Sequence, residues 1–131
     1  MAWSASEYLA GIIQAVEEFG GRFAEPPTIM VGREDEDGVV DGTASFGDGS
    51  RLALSVFLET SGATVIWHKY RFHYMNTRSE CLFRYDNAPH HPRTVTFPHH
   101  KHEGADEQIV ESGPVTLDDV LSEIRRLLSA R

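Results

Sequence analysis

Two long runs of two-residue period, set back to back, decide what this chain can become. Residues 51–59 (RLALSVFLE) place Leu52, Leu54, Val56 and Leu58 on one side and Ala53 and Phe57 on the other, the pattern of a strand buried on one face. Ser61-Gly62 turns the chain back. Residues 64–76 (TVIWHKYRFHYMN) then form the longest strand candidate, rich in β-branched and aromatic side chains. Alternation assigns Ile66, His68, Tyr70, Phe72 and Tyr74 to one side, and Trp67, Lys69, Arg71 and His73 to the other. Met75 to Arg78 makes a tight turn into residues 79–85 (SECLFRY). An antiparallel pairing there brings Arg71 or His73 near Arg84.

Helical signals bracket these strands. Residues 4–19 repeat Tyr8, Leu9, Ile12, Ile13, Val16 and Phe19 at three- and four-residue spacing, with Ser4 or Ser6 as cap and Gly20-Gly21 as stop. Residues 116–129 carry a second stripe, Leu117, Val120, Leu121, Ile124, Leu127 and Leu128, opened by a capping-box-like Thr116/Asp119 pair. Between them, Thr28 to Gly32 reads as a short strand, and Glu34 to Gly38 and Gly47 to Gly49 as turns. The expected fold is α+β: one domain over 1–131, with an antiparallel meander of five to six strands (sheet 28–97) flanked by an N-terminal and a C-terminal helix. Residues 86–104 hold three prolines and five histidines, so they are expected as a His-rich loop with a short strand near Thr94 to Phe97.

No stretch approaches the ~20 apolar residues a membrane helix needs. The first residues lack the basic and apolar regions of an export signal, and Cys81 stands alone, so the expected location is the cytoplasm. Net charge is −8, which by itself disfavours phosphate contacts. The charge is segregated, however. Residues 67–102 hold Lys69, Arg71, Arg78, Arg84, Arg93 and Lys101 against Glu80 and Asp86, 6 − 2 = +4, leaving 6 − 18 = −12 elsewhere. That stretch also contains all seven histidines. A basic patch on an acidic chain fits an anionic ligand on one face.

Five histidines lie within the thirteen residues from His90 to His102. Imidazole exchanges a proton near neutral pH and is a common metal ligand. Two chemistries follow. In the first, RNA is cleaved without a cofactor: one imidazole takes the ribose 2′-OH proton, another protonates the leaving oxygen, and a cation stabilises the phosphorane. His91 and His100 are the acid and base candidates, Arg84 and Lys101 the phosphate contacts, and His90 and His102 further members of the site. Arg71, His73, Tyr85, Asp86, Asn87 and His99 are the substrate-binding candidates, and Trp67, Tyr70, Tyr74 and Tyr85 could stack bases. In the second, a divalent metal is held by His90, His100 and His102, His100 and His102 being on one side of an extended chain. Neither HExxH nor a cysteine pair is present, and Asp86 is the nearby carboxylate. The plain alternative is that each histidine bonds a backbone carbonyl, that Tyr and Trp are core, and that Asp86-Asn87 makes an Asx turn. It accounts poorly for the clustering.

The blocks FRYDNAPHHP (Phe83 to Pro92) and TFPHHKH (Thr96 to His102) resemble the TumE-type toxins of type II toxin–antitoxin systems, over residues 67–126. By position, the resemblance singles out Arg84, Tyr85, Asp86, Asn87, His90 and His91, then His99, His100, Lys101 and His102. It implies a cytoplasmic growth inhibitor neutralised by an antitoxin with a helix-turn-helix domain, and it implies no particular reaction. The reading that joins residues and resemblance is a toxin that cleaves RNA. A non-catalytic module binding nucleic acid or antitoxin, and a His-rich metal-binding domain, are the alternatives; a homodimer stays open.

Overall fold

The computed structural model describes residues 4–88 and 98–129. Helix α1 (Ala5–Phe19) starts because Ser4 and Glu7 form a reciprocal capping box, and it stops at Gly20, whose φ of 121° suits glycine. Eight strands follow: β1 (Arg22–Phe23), β2 (Thr28–Val31), β3 (Asp37–Ser45), β4 (Arg51–Ser61), β5 (Thr64–Met75), β6 (Cys81–Asp86), β7 (His100–Glu103) and β8 (Gln108–Glu111). Helix α2 (Leu117–Ser129) closes the chain, its first turn held by the reciprocal bonds between Thr116 and Asp119. The strands make one antiparallel sheet in the order β1-β3-β4-β5-β6-β7-β8, with β2 also on β3.

The α+β expectation holds, with more strands than the five to six foreseen. The additions are short, and β7 falls inside the segment expected as a loop. Its residues follow the last proline of that segment, Pro98, so every one can donate to a ladder. β7 pairs with β6, Asp86 opposite His100 and Arg84 opposite His102. The strand foreseen near Thr94 to Phe97 lies outside the described residues.

One face of the sheet carries the core. Leu52, Leu54, Val56 and Leu58 of β4, Tyr70, Phe72 and Tyr74 of β5 and Phe83 of β6 are buried there against Leu9, Val16, Val120 and Ile124 of the helices. Each large side chain removed from water contributes on the order of 1.5–3 kcal/mol. Trp67 joins this face, contrary to simple alternation. Phe57 pairs with Lys69 but Leu58 pairs with Trp67, so His68 is an extra residue on β5. Such a bulge resets parity. Trp67 packs on the core, while Ile66 is 44% exposed.

Phe83→Ala should cost ~3–5 kcal/mol by opening a cavity between sheet and helices. Phe57→Ala, on the opposite face, should stay within about 0.5 kcal/mol. Urea unfolding of both variants checks the contrast.

Candidate functional site

Because side chains alternate, Arg84 and Asp86 of β6 and His100 and His102 of β7 project from the face that the helices do not cover, next to Arg71 and His73 of β5. The register makes two neighbouring rows. In one, His73 faces Arg84, which faces His102; in the other, Arg71 faces Asp86, which faces His100.

Asp86 is the hub. Its side chain is 7% exposed and that of His100 is 1%, with Oδ1 at 2.8 Å from His100 Nε2. The same oxygen accepts the Ala88 N–H at 3.0 Å, while Oδ2 accepts from Arg84 Nε at 3.3 Å. On its other edge, His100 Nδ1 lies 3.0 Å from the Pro98 carbonyl, to which it donates. Arg84 spreads its remaining donors outward: Nη1 to Glu107 Oε1 at 3.0 Å and Nη2 to His102 Nε2 at 2.8 Å. Glu107 is placed by a turn in which it adopts a left-handed φ of 51°.

A guanidinium is always charged, so His102 Nε2 meets it as a lone pair. Burial, then Arg84, push the His102 pKa below its ordinary value. His73 is lowered as well, by burial first and then by Arg71 and Arg84. Two imidazoles held neutral thus flank one fixed cation. His73 Nδ1 sits 3.4 Å from Arg71 Nη2, and its buried Nε2 has no hydrogen-bond partner among the described residues.

Several expected site residues lie elsewhere. Lys101 projects to the helix face, where its ammonium bonds Glu103 at 2.8 Å and Glu123 at 2.9 Å and sits 4.9 Å from the Tyr85 ring centre. Burial alone would lower its pKa, but the bonds to Glu103, Glu123 and Tyr85 outweigh that and raise it. Tyr85 faces the same way and donates its hydroxyl to Glu123. The His99 ring stacks on Tyr70, Nδ1 at 3.0 Å from the hydroxyl; burial, then the Asp86 charge, push Tyr70 up to about 12. Asn87 clamps the β5 backbone, accepting from Tyr70 N at 2.9 Å and donating to His68 O at 3.0 Å. His90 and His91 lie outside the described residues.

Asp86, His100 and His102 offer one ligand atom each within 4.8 Å of one another, all three buried. His100 and His102 were expected as ligands and Asp86 joins them; His90, the third ligand expected, lies outside the described residues. Glu107 gave no signal in the sequence, whereas the paired spacings Arg84-x-Asp86 and His100-x-His102 did: each puts two side chains on one face of a strand.

Fold and site together define a small α+β protein with a histidine- and arginine-bearing face left uncovered by its helices. Residues 15–128 match the family described as Toxin TumE. The chain belongs to that family, which makes it a toxin of a toxin–antitoxin system with an antitoxin as its partner. No curated protein and no solved structure matches it. Among the described residues, no helix is long and apolar enough to cross a membrane.

Removing one partner of a buried ion pair leaves the other uncompensated, so Asp86→Ala should destabilise by ~3–5 kcal/mol in urea unfolding. The lowered His73 and His102 also set a pH slope. The unfolded chain binds their protons at ~6.5 and the fold resists them, so their contribution is present above that pH and is lost as pH falls toward the folded values. Urea midpoints at pH ~7.5 and ~5.5 should therefore diverge less in His73→Gln and His102→Gln than in the parent.

Proposed function

We propose that this toxin cleaves RNA with its own side chains, the reacting phosphate lying over Arg84 between His73 and His102. The observation that carries the reading is that row: two imidazoles on either side of a guanidinium, on adjacent strands, one strand spacing of ~4.8 Å to each side. One imidazole, neutral, accepts the ribose 2′-OH proton as the 2′ oxygen bonds to phosphorus. The P–O5′ bond breaks and the other imidazole, protonated once the phosphate's negative charge offsets the Arg84 cation that otherwise keeps it neutral, gives its proton to the leaving oxygen. The products are a 2′,3′-cyclic phosphate and a 5′-hydroxyl. Arg84 stabilises the charge gathered on the phosphoryl oxygens. His100 acts in this reading as a positioning residue, since its two nitrogens hold Asp86 and the Pro98 carbonyl, and Asp86 aims Arg84. The antitoxin is read as carrying a helix-turn-helix domain, on the family resemblance alone.

The convergence of Asp86, His100 and His102 favours one other reading, a divalent metal held by those three. His100 already bonds a backbone carbonyl through its far nitrogen, as metal-bound imidazoles do. Against it stands Arg84, which puts a positive charge in contact with two of the three ligands.

Purified toxin incubated with RNA decides between them. His73→Ala and His102→Ala should each lower cleavage on the order of 10²-fold or more, and Arg84→Ala on the order of 10²–10³-fold, with EDTA without effect. Cleavage lost to EDTA replaces the first reading with the second, and a His73/His102 double variant that still cleaves RNA and arrests growth sinks it.

A further inference from the structure

A groove of about 570 Å³ opens on the same uncovered face, beyond β5. That volume is in the range of sites for small ligands, ~300–1,000 Å³. Its floor is low because small side chains line up across two strands, Thr43 opposite Ala53 and Asp41 opposite Ser55. The β1–β2 connection, with Glu25 and Pro26, is one wall. Arg22, Arg51 and Arg71 stand around it.

The groove and the histidine site are continuous. Ala53 faces His73 and Ser55 faces Arg71 across β4 and β5, so both rows of the site run straight on into the groove floor. Arg71 belongs to both, lining the groove while its Nη2 lies 3.4 Å from His73 Nδ1. From Ala53 to Arg84 is two strand spacings, ~10 Å.

We infer that this groove binds the nucleotide of single-stranded RNA adjacent to the linkage that is cut, an assignment that rests on the proposed cleavage reading. Three guanidiniums supply the fork geometry that holds phosphate oxygens. Glu25 and Asp41 are acceptors without donors, and Thr43 and Ser55 hydroxyls can do either, which suits base amino groups and ribose hydroxyls. Among the described residues, no aromatic side chain lines the groove, so recognition by these residues is through hydrogen bonds and charge.

The test uses full-length toxin, a fluorescent 2′-O-methyl oligoribonucleotide, which lacks the attacking hydroxyl, and a cleavable RNA. Arg22→Ala removes an exposed groove cation and Ala53→Trp fills the floor. Both should weaken oligonucleotide binding on the order of tenfold and raise KM while leaving kcat close to that of the parent, and Arg22→Ala should reduce the slope of log K against log salt by about one. Parent-like binding and KM in both variants overturn the subsite even if RNA is cleaved. Oligonucleotide binding that depends on Arg22 and Ala53 in a toxin that cuts no RNA upholds the subsite and removes the cleavage reading. Loss of antitoxin affinity in these variants, with oligonucleotide binding intact, assigns the groove to the antitoxin and overturns the inference.

Discussion

The close contact between Asp86 and His100 sits at the centre of the site. It joins residues directly opposite each other on β6 and β7, in a setting where both side chains are almost fully withdrawn from water. Sheet parity gives the pair its leverage. A slip of one residue between these strands would turn His100 and His102 to the helix face and bring Lys101 out, leaving Asp86 buried without its partner. Arg84 and the Ala88 N–H would still hold the carboxylate, but the slipped register would forfeit its contact with His100, so the carboxylate favours one register as well as serving as an electrostatic hub.

Around this contact, charge is distributed by face. The helix side uses Lys101 with Glu103 and Glu123 to join β7 to α2. The uncovered side keeps Arg84 engaged by Asp86 and Glu107, yet still able to depress the protonation of His102 and His73. Of two cations on neighbouring strands, Lys101 of β7 thus serves packing and Arg84 of β6 the uncovered face, according to the side to which each strand's alternation turns it.

Much of the scaffold was legible in the residues. The caps at Ser4 and Thr116, the alternation of Leu52 to Leu58 and the approach of His73 to Arg84 all follow from local rules, because they depend on neighbours a few positions away. What was hidden depends on partners far along the chain. Prolines at 89, 92 and 98 made the whole stretch 86–104 look irregular, and with β7 unseen nothing separated Lys101 from its flanking histidines. Read as a strand, the same residues sort themselves: His100 and His102 to one side, Lys101 to the other. Glu107 had no legible role, since its contact with Arg84 is set by a hairpin between two strands of four residues each. The likeness of the FRYDNAPHHP and TFPHHKH blocks to a toxin family held over most of the chain, while the rows that bring His73, Arg84 and His102 together are spatial and no linear motif displays them.

The bulge at His68 bears on how the chain can vary in length. With His68 looped out of register, Trp67 and Tyr70 both reach the core, so the strand carries one residue more than alternation requires. That surplus is held by a half-exposed contact of His68 with Glu59, of a kind worth little to stability. Losing a residue there would leave Trp67 and Tyr70 on their present face. Losing one between Tyr70 and Met75 would invert the row that holds Arg71 and His73. The strand is therefore elastic to insertion and deletion at one end and intolerant at the other, and the boundary between the two falls where the uncovered face changes from apolar to cationic.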